Sequence, residues 1–197
     1  MRTYLICIGL LLAAPLHAQA HRWSVTVEAG ELRYRGTSAD TSAEDNGAFR
    51  PFWPATLGLR LERGGSVGVG LGILYGAGSA ALIGPELTIT SRTDALTLVE
   101  LAPSVSLLVA RLGSGSLRLA GGPLLDHWSW SPAPGRWRVG GELVARLETP
   151  LGTATGLMVR AGVARSASML EDDDLPESFE RRPSWRSSVA VGLMVRR

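Results

Sequence analysis

Residues Ala55–Ala77 read ATLGLRLERGGSVGVGLGILYGA. Ala55, Leu57, Leu59 and Leu61 alternate with Thr56, Gly58, Arg60 and Glu62. After Arg63-Gly64-Gly65-Ser66, the residues Val67, Val69, Leu71, Ile73, Tyr75 and Ala77 alternate with Gly68, Gly70, Gly72 and Gly76. Side chains of an extended chain point to opposite faces in turn, so a period of two gives each strand one apolar and one polar face. Two such runs joined by a glycine-rich turn predict a β-hairpin.

The same pattern continues on both sides. Trp23, Val25, Val27 and Ala29 alternate with Ser24, Thr26, Glu28 and Gly30. Val99, Leu101, Val105, Leu107 and Val109 alternate with Glu100, Ala102, Ser104 and Ser106, and Leu117 and Leu119 with Arg118 and Ala120. Trp137, Val139, Leu143, Ala145 and Leu147 oppose Arg138, Gly140, Glu142, Arg146 and Glu148. Leu157, Val159, Ala161 and Val163 oppose Gly156, Met158, Arg160 and Gly162, and Trp185, Val189, Val191, Leu193 and Val195 oppose Arg186, Ser188, Ala190, Gly192 and Met194. About eight strands of roughly 10–14 residues follow, longer than the roughly 5–6 of a globular strand and long enough to cross a bilayer at a tilt.

Tight turns are predicted near Gly64, Gly113 and Pro150, and longer polar connections at 36–50, 78–93 and 167–183, with a modest one at 131–135. Short and long connections alternate, as they do when short turns face the periplasm and long loops face outward. The polar face is mostly Gly, Ala and Ser with interspersed Arg and Glu, which suits a narrow, filled lumen. The aliphatic face is nearly free of charge, as lipid contact requires. Tyr34, Trp53, Tyr75, Trp128, Trp130, Trp137 and Trp185 fall near the long-loop ends and are read as an interfacial aromatic belt. The predicted fold is all-β, an up-and-down antiparallel transmembrane β-barrel. A soluble periplasmic ligand-binding barrel is the inside-out alternative, with its aliphatic face inward.

The 197 residues carry 20 basic and 18 acidic side chains, dispersed along the chain, so there is no basic stripe for nucleic acid. Every basic residue is Arg. Residues 1–20 have the form of a secretory signal peptide: Met1-Arg2, an apolar run from Tyr4 to Leu12, Pro15, and the small-x-small site Ala18-Gln19-Ala20. The mature barrel domain is then 21–197, in the outer membrane after export through the periplasm. The single cysteine, Cys7, lies in the leader, which leaves the mature chain without a disulfide or a thiolate metal site.

From Trp23 to Arg197 the sequence resembles the small OmpA- and OmpX-type outer-membrane barrels. The resemblance is one of architecture and implies a class, not an activity. It implies outer-membrane lipid, lipopolysaccharide and the assembly machinery as partners, with no cofactor. Barrels of that type usually end in an aromatic residue that the assembly machinery recognises, whereas this chain ends Met194-Val195-Arg196-Arg197.

Both signs of charge share the polar face: Glu28, Arg60, Glu62, Glu100, Arg118, Arg138, Glu142, Arg146, Glu148, Arg160 and Arg186. In a lumen with little water each needs an opposite partner, so an ion-pair network is predicted. Glu100 with Arg118 is the first candidate pair, because their strands form a tight hairpin. A narrow, porin-like channel lined by fixed charges is the alternative.

His127-Trp128-Ser129 with Glu142 is the catalytic candidate, since His and Ser two apart on a strand share a face and a carboxylate on the next strand would orient the His. It resembles the H-x-S motif of the outer-membrane lipid A deacylases, although Trp130 stands where that family usually has Asn. The strand register puts Glu142 inward and His127 outward unless a bulge near Gly121-Gly122-Pro123 shifts the phase. The acidic run Glu171–Asp174 reads as a solvated loop, with weak suitability for a divalent cation. No phosphate loop, nucleotide fingerprint or histidine metal cluster is present. The leading function is a non-enzymatic, structural or surface-interaction role for a closed barrel.

Overall fold

The computed structural model describes residues 22–35, 38–40, 48–83, 88–90, 96–130, 133–174 and 179–197. At 22, 38–40, 48–54, 79–83, 88–90, 130, 133–134, 174 and 179 it describes the backbone only. Eight long strands form: β1 Arg22–Arg35, β2 Ala48–Gly64, β3 Val67–Ile83, β4 Leu96–Leu112, β5 Gly115–Trp130, β6 Ala133–Pro150, β7 Thr155–Ser166 and β8 Ser184–Arg196. Each pairs antiparallel with its neighbours in sequence, and β8 pairs back onto β1. The sheet therefore closes into an up-and-down barrel in which each long strand is paired on both sides.

Two-residue turns, Gly65-Ser66 and Gly113-Ser114, join β2 to β3 and β4 to β5. Gly113 sits at φ 61°, the left-handed conformation that favours glycine in so short a turn. Leu151–Ala154 joins β6 to β7, with the amides of Leu151 and Gly152 both donating to the Thr155 carbonyl. The start of β1 and the end of β8 meet at this same rim, where the Arg197 amide donates to the Trp23 carbonyl at 2.8 Å.

Several strands run 16–18 residues, beyond the length read from alternation. β2 and β3 extend to Ala48 and Ile83, into segments expected to be loops, because backbone pairing such as Ala48 with Ile83 continues without an apolar stripe. Two three-residue strands, Ser38–Asp40 and Phe179–Arg181, pair with each other, and Thr88–Thr90 adds to the end of β3.

Among the described side chains of the barrel wall, apart from the stretch 109–117 beside the Gly113-Ser114 turn, the odd-numbered residues face outward and the even-numbered ones inward. The Gly65-Ser66 turn preserves this parity, pairing Gly64 with Gly68, whereas the Gly113-Ser114 turn pairs Leu112 with Gly115 and a bulge between Leu108 and Ala110 restores it. Leu57, Val69, Val139 and Leu193 lie on the outside, the last two more than 60% exposed. Arg60, Glu62, Glu100 and Arg146 lie inside and are buried. This orientation rules out the soluble ligand-binding barrel, which needs the aliphatic face inward.

Candidate functional site

The lumen is the site, because the even-numbered positions send nearly all the buried charge into it. Small residues make the space. A Cβ on Gly58 would lie 2.7 Å from Glu28 Cγ, so glycine there lets the carboxylate lie against the wall.

Near the short-turn rim, Glu62 on β2 accepts from Arg146 on β6 and from the Ser106 hydroxyl on β4, the latter at 2.6 Å. Arg118 on β5 lies 3.5 Å from Glu62 and donates to Ser106 and to the Gly65 carbonyl. Glu148 on β6 pairs with Arg196 on β8 at 3.1 Å. In the middle layer, Arg160 on β7 meets Glu142 at 2.8 Å and Glu28 at 3.9 Å. Arg60 lies 4.0 Å from each of the same two carboxylates. In the upper layer, Arg186 on β8 bridges Glu100 on β4 at 2.8 Å and Asp126 on β5 at 3.2 Å.

Six arginines (60, 118, 146, 160, 186, 196) thus stand against six carboxylates (28, 62, 100, 126, 142, 148). The lower layer holds three arginines and two acids, the middle two and two, the upper one and two. Charge cancels over the whole lumen while leaving it slightly positive at the short-turn end and negative at the other. Such buried ions persist only when paired.

Above the charges lies an apolar cap. Leu32, Tyr34, Leu74, Leu96, Leu98 and Trp128 are joined there by Met169 and Leu170, from the segment after β7. Tyr34 and Trp128 pack edge to face, their ring centres 5.8 Å apart. Arg138 holds the segment down, with its guanidinium 3.0 Å from Glu171 and a hydrogen bond to the Ser168 carbonyl. Arg136 lies 3.8 Å from Glu171 as well.

Cavities follow this layering. Beneath the cap, between Leu32, Leu74, Glu142 and Arg186, a cavity of about 10 Å³ has room for one water. An open vestibule of about 390 Å³ lies at the short-turn rim, lined by Glu62, Arg111, Arg118, Glu148 and Arg196. Another of about 330 Å³ lies at the opposite mouth, between Arg138, Glu171 and Arg182. Among the described residues the charged layers and the cap separate the two.

Several expectations are corrected. Glu100 and Arg118 do not pair. The Gly113-Ser114 turn sets a register in which Glu100 opposes Asp126 and Arg118 opposes Leu108, about 26 Å from Glu100 along the strand. Arg138 turns to the loop mouth and pairs with Glu171, not with a lumen acid. Tyr34 and Trp128 are not interfacial: their even positions put them inside, 4% and 2% exposed. Tyr75, Trp137 and Trp185 do face outward, and the side chains of Trp53 and Trp130 lie outside the described residues. Trp23, with Arg63 stacked 5.8 Å from its ring centre, faces outward at the short-turn end, where no aromatic was expected.

The catalytic candidates are separated by the barrel wall. His127 packs outside against Trp137, ring centres 4.6 Å apart, while Glu142 is buried in the lumen. Pairing of β5 with β6 runs unbroken from Ser116 to Trp128, so no bulge near Gly122 brings the acid round. The acidic run is partly committed too, with Glu171 to Arg136 and Arg138, and Asp172 to Arg181 at 3.6 Å. No cluster of three or more His, Cys, Asp or Glu suited to a metal occurs among the described residues. Asp126, fully buried, is the lumen acid that the sequence reading passed over. Counting in twos from Arg118 through Ala120 reaches it.

A wall of exposed aliphatics around an ion-paired lumen is the inverse of a soluble protein. The fold is that of the small eight-stranded outer-membrane barrels. Ail, the attachment invasion locus protein of Yersinia pestis, matches with a TM-score of 0.52 and 11% identity, over 91% of this chain and all of Ail. OprG from Pseudomonas aeruginosa matches at 0.51 and 10% identity, over 91% of this chain and 97% of OprG. The outer membrane protein AlkL matches at 0.56 and 9% identity, over 94% of each chain. No family model matches the chain, and no curated protein matches it in sequence.

Proposed function

We propose that this chain is a closed outer-membrane barrel whose work is done at its outer surfaces, as a structural or surface-interaction protein. The supporting observation is the lumen, where paired charges span the bore beneath an apolar cap, and the cavity between Leu32, Leu74, Glu142 and Arg186 has room for about one water. A steady pore needs a continuous wet path.

Membrane residence is supported by the outer wall. From Val195 to Trp185 the outward residues of β8 are apolar or Ser187. Ten residues at about 3.3 Å each, tilted about 40°, rise about 25 Å, the height of a lipid-facing band. Tryptophans stand at both edges, Trp23 below and Trp185 above. Removal of residues 1–20 on export, insertion by the assembly machinery and contact with lipopolysaccharide belong to this reading. So does a non-catalytic role, since the acid expected to orient His127, Glu142, is buried in the lumen while His127 packs outside against Trp137.

Membrane fractionation followed by gel mobility with and without boiling tests it. The unboiled protein from the outer-membrane fraction is expected to run as a compact, faster band. A soluble protein with unchanged mobility would overturn the proposal.

A further inference from the structure

We infer that the outer wall formed by β7, β8 and β1 carries a docking site for the phosphate of an outer-leaflet glycolipid, made by Arg35 and Arg165 on either side of Trp185. The inference rests on the membrane reading above and names one partner and its place.

The three residues form one row. Trp185 is register partner to Arg35 on β1 and to Arg165 on β7. Two strand spacings set the arginine backbones about 10 Å apart, within reach of two long side chains for a group seated between them. All three face outward and are exposed, Trp185 by 51%. The Arg165 guanidinium lies 5.5 Å from the Trp185 ring centre, a cation–π contact that holds it against the wall.

Neither Arg35 nor Arg165 has an acidic partner among the described residues. Arg33, one outward position below Arg35, does: Glu31 lies 3.2 Å away. The row stands about 25 Å above Val195, at the upper edge of the apolar band, where head groups begin. Cations at that depth persist when they meet counter-charge or reach water. Across the barrel, the outward positions near the long-loop ends of β3, β4 and β5 are Tyr75, Ala77, Thr97, Val99, His127 and Ser129. None of these six is Arg, Asp or Glu, so among the described residues that wall offers no matching pair of guanidinium groups.

Phosphate suits two guanidinium forks, which bind it through paired N–H donors. Trp185 adds a flat apolar platform for the face of a sugar ring, which a glycerol head group does not offer. That selects a phosphorylated glycolipid over a glycerophospholipid.

The test uses the full chain in phosphatidylcholine nanodiscs, with bound lipid counted by native mass spectrometry. Three lipids are titrated: bis-phosphorylated lipid A, the same lipid A stripped of phosphate, and phosphatidylglycerol. The parent is expected to take up phosphorylated lipid A in preference to both others. Arg35→Gln and Arg165→Gln should each weaken that uptake about 5-fold, and the double variant about 25-fold. Arg63→Gln, which removes the similar stack on Trp23 at the other rim, should leave it unchanged. Three results would overturn the inference: parent-like uptake by the double variant, equal uptake of stripped lipid A, or equal uptake of phosphatidylglycerol. A chain that forms no heat-modifiable barrel overturns the membrane reading first, and this inference with it.

Discussion

The guanidinium of Arg186 on β8 lies 2.8 Å from the carboxylate of Glu100 on β4, a tie straight across the diameter of an eight-stranded barrel. Glu62 and Arg146 make a second such tie between β2 and β6. These contacts brace opposite walls, whereas backbone pairing joins only neighbours. Asp126 also meets Arg186, so losing the arginine strands two acids while losing Glu100 leaves one pair intact. Arg186→Met should therefore destabilise by about 3–5 kcal/mol, and Glu100→Gln by about 1–3 kcal/mol. Urea unfolding in detergent micelles measures both, and equal losses would contradict the bridging role.

The outer wall gives a prediction of opposite kind. Leu59 and Val105 face outward and are about half exposed, at 49% and 52%. Arginine at mid-bilayer on that face costs about 2–4 kcal/mol. Leu59→Arg and Val105→Arg should lower the yield of assembled barrel, whereas Thr56→Ser, on the inner face, should not. Folded and unfolded bands on an unboiled gel report the outcome.

Glycine is required where the wall leaves no room. A Cβ on Gly122 would lie 2.1 Å from the Pro103 carbonyl oxygen, a backbone atom with little freedom to give way. Gly122→Ala should cost about 1–3 kcal/mol through overpacking. Gly141 faces outward, and its nearest atom, the Gly122 carbonyl oxygen, would be 3.5 Å away. Gly141→Ala should be close to neutral in the same unfolding measurement.

Closure of the lumen predicts no steady conductance in planar-bilayer recordings of the parent. Replacing both Met169 and Leu170 with Ser removes the loop's contribution to the cap, and should leave the current unchanged, because the charged layers beneath still block the bore. Sustained ohmic current in the parent would favour the channel reading.

The separated His127, Ser129 and Glu142 predict no chemistry. Lipid A incubated with the purified barrel should keep all its acyl chains, and Ser129→Ala should behave as the parent does. Acyl release that depends on Ser129 would restore the enzyme reading.

The register accounts for why some of this was legible in the residues and some was not. Alternation through Ala55–Ala77 and its repeats was enough for the strands, their tight turns and the two faces, because a period of two is a local property of extended backbone. Most of the charges on its polar face, such as Arg60, Glu62 and Arg146, are buried in the lumen. Asp126 was equally legible by counting in twos, but the neighbouring His127 and Ser129 drew the reading to the other face. Assigning Tyr34 and Trp128 to the belt went wrong for a similar reason: height along a strand was weighed and parity was not.

The sequence by itself determined which side chains face lipid and which face the lumen, and that the lumen charges need partners. Only the tertiary structure decided who those partners are. Barrel closure brings β4 to β8 and β2 to β6 across a narrow bore, so Glu100 meets Arg186 at a separation of 86 positions, while Arg118, on the adjacent strand, is held about 26 Å along it by the turn register. The cap by Met169 and Leu170 likewise depends on a loop folding back over the mouth, fixed by Glu171 and Arg138. Strand faces follow from local backbone geometry, but contacts across a lumen follow from how the sheet closes.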